Sequence, residues 1–157
     1  MNQYVVQESA VINASAETIY QILIDYEDPN AHRAITPPSF FTKIDVVSGG
    51  KGDGTVVDVY GKAMGQVTKL TLTLTEVKKN RHLLEKDDNG GIVTEFFLDP
   101  VDGDEQTEVT IKTTGTVARG LRGWVEKKLS PRILRPVYQE ELENLERVAS
   151  NREKIAL

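Results

Sequence analysis

The order of elements predicts an α+β fold in which a curved antiparallel sheet of about six to seven strands wraps one long C-terminal helix, with a short helix after the first strand. Three observations carry this expectation. A β-branched opening segment runs directly into a short helical stripe. The stretch 41–117 then alternates short strand-like runs with turns rich in Gly, Asp and Asn, and the remainder repeats apolar residues at helical spacing. An antiparallel sheet cannot close fully around a single helix with short side chains, so the space between them becomes a cavity, and cavities bind small molecules.

Residues 4–12 read as the first strand, with Val6, Glu8, Ala10 and Ile12 on one face and Val5, Gln7, Ser9 and Val11 on the other. Alternation alone leaves open which face is inner. Ser15 is placed to cap a helix over 16–25, Glu17 sits in the first turn where the helix dipole favours negative charge, and Ile19, Ile22, Leu23 and Tyr26 form one stripe. Residues 26–33 point to a further helical turn, and Pro37-Pro38 imposes an extended connection, which makes this loop a candidate cavity mouth. Strands are expected at 41–48, 55–60, 66–77, 81–86, 92–98 and 107–117, with turns at 49–54, 88–91 and 102–104. In the third of these strands Leu70, Leu72 and Leu74 share the buried face and Lys69, Thr71, Thr73 and Thr75 the wet one, while in the last Val109, Ile111, Thr113 and Val117 face in. Phe96 and Phe97 point oppositely, leaving one of them for solvent or for a second subunit.

The C-terminal segment shows a phase break. Leu121, Trp124, Val125 and Leu129 define one stripe, and Leu134, Val137, Tyr138, Leu142, Leu145, Val148 and Ala149 define another. At about 100° per residue the two are offset by more than a third of a turn. With Ser130-Pro131 at the break and Pro136 beyond it, the pattern predicts a short helix followed by a longer one, with a frayed tail after Ser150.

Composition narrows the function classes. The 157 residues fit one domain, 1–157, long enough to bury about 70% of the surface its unfolded chain exposes. The absence of cysteine removes disulfides, thiolate metal sites and thiol nucleophiles, and fits a reducing, cytoplasmic setting. No basic n-region with an apolar run of signal length opens the chain, and no stretch reaches about 18 uninterrupted apolar residues, so a soluble protein is expected. With 24 acidic and 19 basic side chains the net charge is −5, which argues against nucleic acid as a partner. The charge is uneven: segment 119–135 holds Arg119, Arg122, Lys127, Lys128, Arg132 and Arg135 against Glu126 alone, about +5 in a chain of net −5.

The run Ile12-Asn13-Ala14-Ser15-Ala16-Glu17-Thr18-Ile19-Tyr20 and the ending Leu142-Glu143-Asn144-Leu145-Glu146-Arg147 resemble the entry and closing helix of the START-like (SRPBCC) superfamily, which includes polyketide cyclases, coenzyme Q-binding proteins and relatives of plant pollen allergens. The resemblance spans nearly the whole chain. It implies a helix-grip architecture and an apolar cavity for a lipid-, polyketide- or isoprenoid-like molecule. Binding or transport of such a hydrophobic small molecule is therefore the first expected function, and a polyketide cyclase or aromatase using the same cavity is the alternative. No family-wide catalytic residue, cofactor or metal carries over.

Among candidate site residues Glu141 stands first. It falls within the apolar stripe, one turn after Val137 and Tyr138 and one before Leu145, so the pattern aims a carboxylate at the sheet, where it needs a partner or a raised pKa. Two readings stay open: a polar anchor or general base inside the cavity, or a rim carboxylate turned to solvent or to a strand Lys or Arg. His32, beside Arg33 in the mouth loop, is a ligand-contact candidate, although solvated loop and edge positions are the expectation for both His32 and His82. Tyr138, Trp124, Tyr60, Phe96 and Phe41 are large side chains able to line the pocket, with Leu72 from the buried strand face. The glycine-rich 49–54 lacks the ending of a phosphate loop and the acids around Gly103 miss calcium-loop spacing, so both read as hairpins and no metal is expected. The basic segment with Trp124 admits two readings, transient contact with an anionic membrane surface or a solvated helix face over a core tryptophan. A monomer or homodimer is compatible with all of this.

Overall fold

The computed structural model describes residues 3–63, 65–89, 91–116 and 121–156, with the backbone alone for 121–130. Its elements are β1 (Gln3–Ile12), α1 (Ala16–Leu23), α2 (His32–Ile35), β2 (Phe41–Ser48), β3 (Val56–Ala63), β4 (Gln66–Lys78), β5 (His82–Asp87), β6 (Ile92–Val101), β7 (Gln106–Thr116) and α3 (Leu121–Ala156). The seven strands form one antiparallel sheet in the order β1-β7-β6-β5-β4-β3-β2. From β2 onward the chain is a meander, as short turns between alternating runs require. β1 instead pairs with the last strand, from Gln3 opposite Thr116 to Ile12 opposite Thr107. The first two strands thus lie at opposite edges. This is the helix-grip arrangement of a curved, open sheet holding a long helix.

Side-chain alternation assigns the faces. In β1 Tyr4, Val6 and Ile12 are buried while Val5 and Val11 are each 50% exposed, which settles the inner face. Val109, Ile111 and Thr113 of β7 are buried, Leu74 of β4 is buried, and Phe96 rather than Phe97 turns inward on β6. Phe97 stacks on His82 outside, with ring centroids 4.4 Å apart. Val117 lies outside the described residues. On α1 Ser15 caps as expected, its hydroxyl accepting from the Thr18 N–H at 3.2 Å. Apolar burial by Ile19, Ile22 and Leu23 fastens this short helix to the core.

Two expectations for the C-terminus are corrected. α3 is one helix from Leu121 to Ala156 with Pro131 and Pro136 inside it, not a short helix followed by a longer one. An internal proline removes one backbone hydrogen bond and bends a helix, but burial of Val137, Tyr138, Leu142, Leu145 and Ala149 holds the helix through the defect. The upstream stripe, Leu121 to Leu129, falls where side chains lie outside the described residues.

The tail does not fray. Glu153 accepts the Ser15 N–H at 2.7 Å, and Glu146 takes both the backbone N–H and the side-chain amide of Asn13 at 2.8 Å. These carboxylates occupy donors at the turn between β1 and α1 and tie the end of α3 to it. The Ser15 N–H bond holds the Glu153 carboxyl below the usual range. Its contribution is therefore present above the unfolded-state pKa and lost as pH falls through the folded value. Glu153→Gln is expected to cost about 1 kcal/mol at pH 7 and to accelerate amide exchange near Ser15, the deficit closing as pH drops through the carboxylate range. Equal melting temperatures for the two proteins at pH 7 would count against this anchor.

Candidate ligand cavity

Between the concave sheet and α3 lies a cavity of about 290 Å³. Its apolar walls come from Phe41 and Ile44 of β2, Leu70 and Leu72 of β4, and Ile133 and Leu134 of α3. Two glycines let rings approach the sheet. A Cβ on Gly61 would lie 2.8 Å from the Phe40 ring, and a Cβ on Gly115 would collide with the ring of Tyr4, its direct cross-strand neighbour. Tyr4 and Phe40 therefore lie across bare backbone and contribute to the lining. Phe40 and Phe41 meet edge to face, centroids 4.9 Å apart.

The polar end is assembled from five elements and a loop. Tyr26 follows α1 in a turn organised by Asp25, whose carboxylate accepts the N–H groups of Glu27 at 3.0 Å and Asp28 at 3.1 Å. The Tyr26 N–H reaches the Gly50 carbonyl at 2.8 Å, which joins this turn to the glycine-rich hairpin. The Tyr26 hydroxyl then donates to Glu85 Oε2 on β5 at 2.7 Å. His32 stacks on Tyr26, centroids 4.2 Å apart, and its Nδ1 donates to the Leu23 carbonyl at 2.7 Å. That bond commits Nδ1 and leaves Nε2 as the ring's other functional nitrogen. Opposite, the Tyr138 hydroxyl bonds Thr113 Oγ1, which also bonds Thr94 Oγ1 at 2.7 Å.

Glu141 completes the group. It is 4% exposed and lines the cavity. Burial first, then the nearby Glu85 carboxylate, push its carboxyl up to about 8. It is therefore neutral at pH 7. Burial also raises both tyrosines, with Glu85 adding to the effect at Tyr26.

Glu141, Tyr138, Leu72, Phe96, Phe41 and His32 all lie on this one cavity. At 4% exposure Glu141 is not turned to solvent at the rim, and among the described residues no Lys or Arg lines the cavity to pair with it. His32 is 3% exposed rather than solvated, because the Leu23 carbonyl and the Tyr26 ring draw it inward. Tyr60 does not line the cavity. With Val57 and Val59 inward on β3, alternation turns Tyr60 to the outer face, where the Lys43 ammonium sits 5.6 Å from its ring. The Trp124 side chain lies outside the described residues. Sequence reasoning missed Glu85 and Tyr4. Glu85 shares a strand face with buried Leu83, and that two-residue offset was the available signal.

Residues 3–150 match the profile of the family described as polyketide cyclase / dehydrase and lipid transport. The chain belongs to this family. Among solved structures it is similar to the KanY protein, at 28% identity and TM-score 0.80 over 96% of this chain and 99% of that one. It is also similar in fold to the ZhuI aromatase/cyclase of Streptomyces sp. R1128, at 16% identity and TM-score 0.77 over 96% of each chain. A START superfamily protein of Mycobacterium smegmatis shares the fold at 17% identity and TM-score 0.68, over 94% of this chain and 98% of that one. No curated protein matches.

A buried carboxyl with a raised pKa makes a signed prediction. The folded state keeps its proton to about 8, whereas the unfolded chain releases it near the ordinary glutamate value, about 4.3. Between these values wild-type stability falls with rising pH, and above the folded value the deficit is constant. Glu141→Gln removes the titration. Its stability relative to wild type should rise from pH 5 to 8, by on the order of 4 kcal/mol at pH 7, with melting temperatures following, and the two curves should run parallel above 8. A pH-independent gap would show that Glu141 is not held neutral.

Proposed function

We propose that this protein binds a hydrophobic small molecule, lipid-, polyketide- or isoprenoid-like, in the cavity between sheet and α3. One observation supports this most: an apolar cavity of about 290 Å³ that ends in a cluster of hydrogen-bonding groups. Apolar walls supply affinity by removing ligand surface from water, and the polar end fixes orientation. Native mass spectrometry of freshly purified protein, followed by solvent extraction, should reveal a bound molecule of this class. Leu72→Trp, which fills the space, should reduce its occupancy about tenfold or more. Undiminished occupancy in the folded variant would place the ligand elsewhere.

A second reading is a polyketide cyclase or aromatase, and the inward acid and base groups favour it. In an aldol closure His32 Nε2 takes a proton from a methylene carbon. That carbon attacks a carbonyl carbon, and the new alkoxide receives the Glu141 proton. In the following dehydration the proton on His32 leaves with the departing hydroxyl as water. A second methylene proton passes to Glu141, and both residues are restored. Incubation with a poly-β-ketone thioester analogue should give cyclised, dehydrated product, with Glu141→Gln slowed about 100-fold or more. Turnover unaffected by that substitution would remove the assigned acid.

A further inference from the structure

The polar end of the cavity holds two buried carboxyl groups among neutral hydrogen-bonding side chains. Glu85 and Glu141 line it at 7% and 4% exposure. Among the described residues the Glu85 carboxylate receives one hydrogen bond, from the Tyr26 hydroxyl. Glu141 receives no hydrogen bond from any described residue, although it is buried and faces open space. A buried carboxyl normally finds a donor within the protein. Here the missing donor has room to arrive from the ligand.

The groups facing Glu141 sharpen the choice. They are Glu85 from β5, Tyr26 and His32 from the segment after α1, and Tyr138 from its own helix. Neither Lys nor Arg is among the described lining residues. An anionic head would meet two carboxyl groups and no fixed countercharge, so a free fatty acid or phosphate ester is rejected. An ammonium finds two carboxylates, together with the rings of Tyr26, Phe96 and Tyr4 as electron-rich faces. We infer that the cavity is selective for a hydrophobic amine, its protonated nitrogen seated between Glu141 and Glu85 and its apolar body against the Phe41, Leu70 and Leu72 wall. This specifies the ligand class and rests on the cavity being the ligand site.

A proton balance follows. The amine enters from neutral solution as an ammonium, and Glu141 enters the complex as a carboxylate. The Glu141 proton leaves to solvent, so one proton is released per amine bound below pH 8. Neutral ligands release none.

The test uses a matched naphthyl series: 2-(2-naphthyl)ethylamine, 2-(2-naphthyl)ethanol and 2-naphthylacetate, titrated calorimetrically into the full chain in buffers of different ionisation enthalpy. The expected result is binding of the amine about tenfold or more tighter than the alcohol, with the acid weakest. Amine affinity should rise between pH 6 and 8, and the buffer dependence should report release of close to one proton at pH 7. Glu141→Gln should bring amine and alcohol level and abolish the proton release. Equal or tighter binding of the alcohol by the unmodified protein overturns amine selectivity, and an amine preference undiminished by Glu141→Gln overturns the seat assigned to Glu141; either result leaves the cavity as a binding site. Binding of all three that Leu72→Trp does not weaken overturns the cavity reading itself. Because the proton count is measured on the unmodified protein, the conclusion does not depend on how any variant folds.

Discussion

The pairing of the first strand with the last sets the geometry of everything else. Once β1 lies against β7, β1 and β2 occupy opposite edges of the sheet. Adjacent strands stand roughly 4.8 Å apart, so the chain must travel the full width of seven strands to pass from one to the other. It does so across the concave side, carrying α1, the Asp25 turn and α2. Tyr26 and His32 are delivered by this traverse to the sheet face that bears Glu85. A β1 paired with β2 would have needed only a tight turn, and no group would have been available to meet Glu85 from above.

A consequence of that traverse is a division of labour around the cavity. Near α1 and the C-terminal half of α3, Ile19, Ile22, Leu23 and Leu145 pack to near-zero exposure. The ring of Phe40 laid over Gly61 of β3 and that of Tyr4 laid over Gly115 of β7 shape the cavity lining without filling it. The well-packed half supplies stability, and the open half supplies space. Burying Glu141 at the boundary works against folding at neutral pH, and a fold with a well-packed half can carry that cost.

Much of this was legible in the sequence where a local rule and the tertiary outcome agree. The Leu70-Leu72-Leu74 alternation, the Ser15 cap and the apolar stripe through Val137, Tyr138 and Leu142 all correspond to elements of the structure. Glu141 was visible as a candidate because its spacing from Val137 and Leu145 sets it within the apolar stripe, although that spacing left the rim and the interior both open to it. Part of what escaped was decided over long sequence separations, and part by local geometry that composition and size did not reveal. The prolines of α3 read as a helix break because propensity is local, whereas the helix is held by burial against β1 and by glutamates bound to Asn13 and Ser15. His32 looked solvated because nothing near it in sequence announces the Leu23 carbonyl or the Tyr26 ring. Tyr60 was drawn into the site by its size, although Val57 and Val59 on alternate positions already turned it outward.

The anchoring of α3 has a mechanical consequence. A beam clamped at one end yields at the other, and the clamp here is at the C-terminal end, where Glu146 and Glu153 grip the turn between β1 and α1. Pro131 and Pro136 interrupt the hydrogen-bond ladder in the opposite half, beside Ile133 and Leu134 on the cavity wall. A bend at these prolines would displace Ile133 and Leu134 on the apolar wall, whereas Glu141 lies on the clamped side of both prolines.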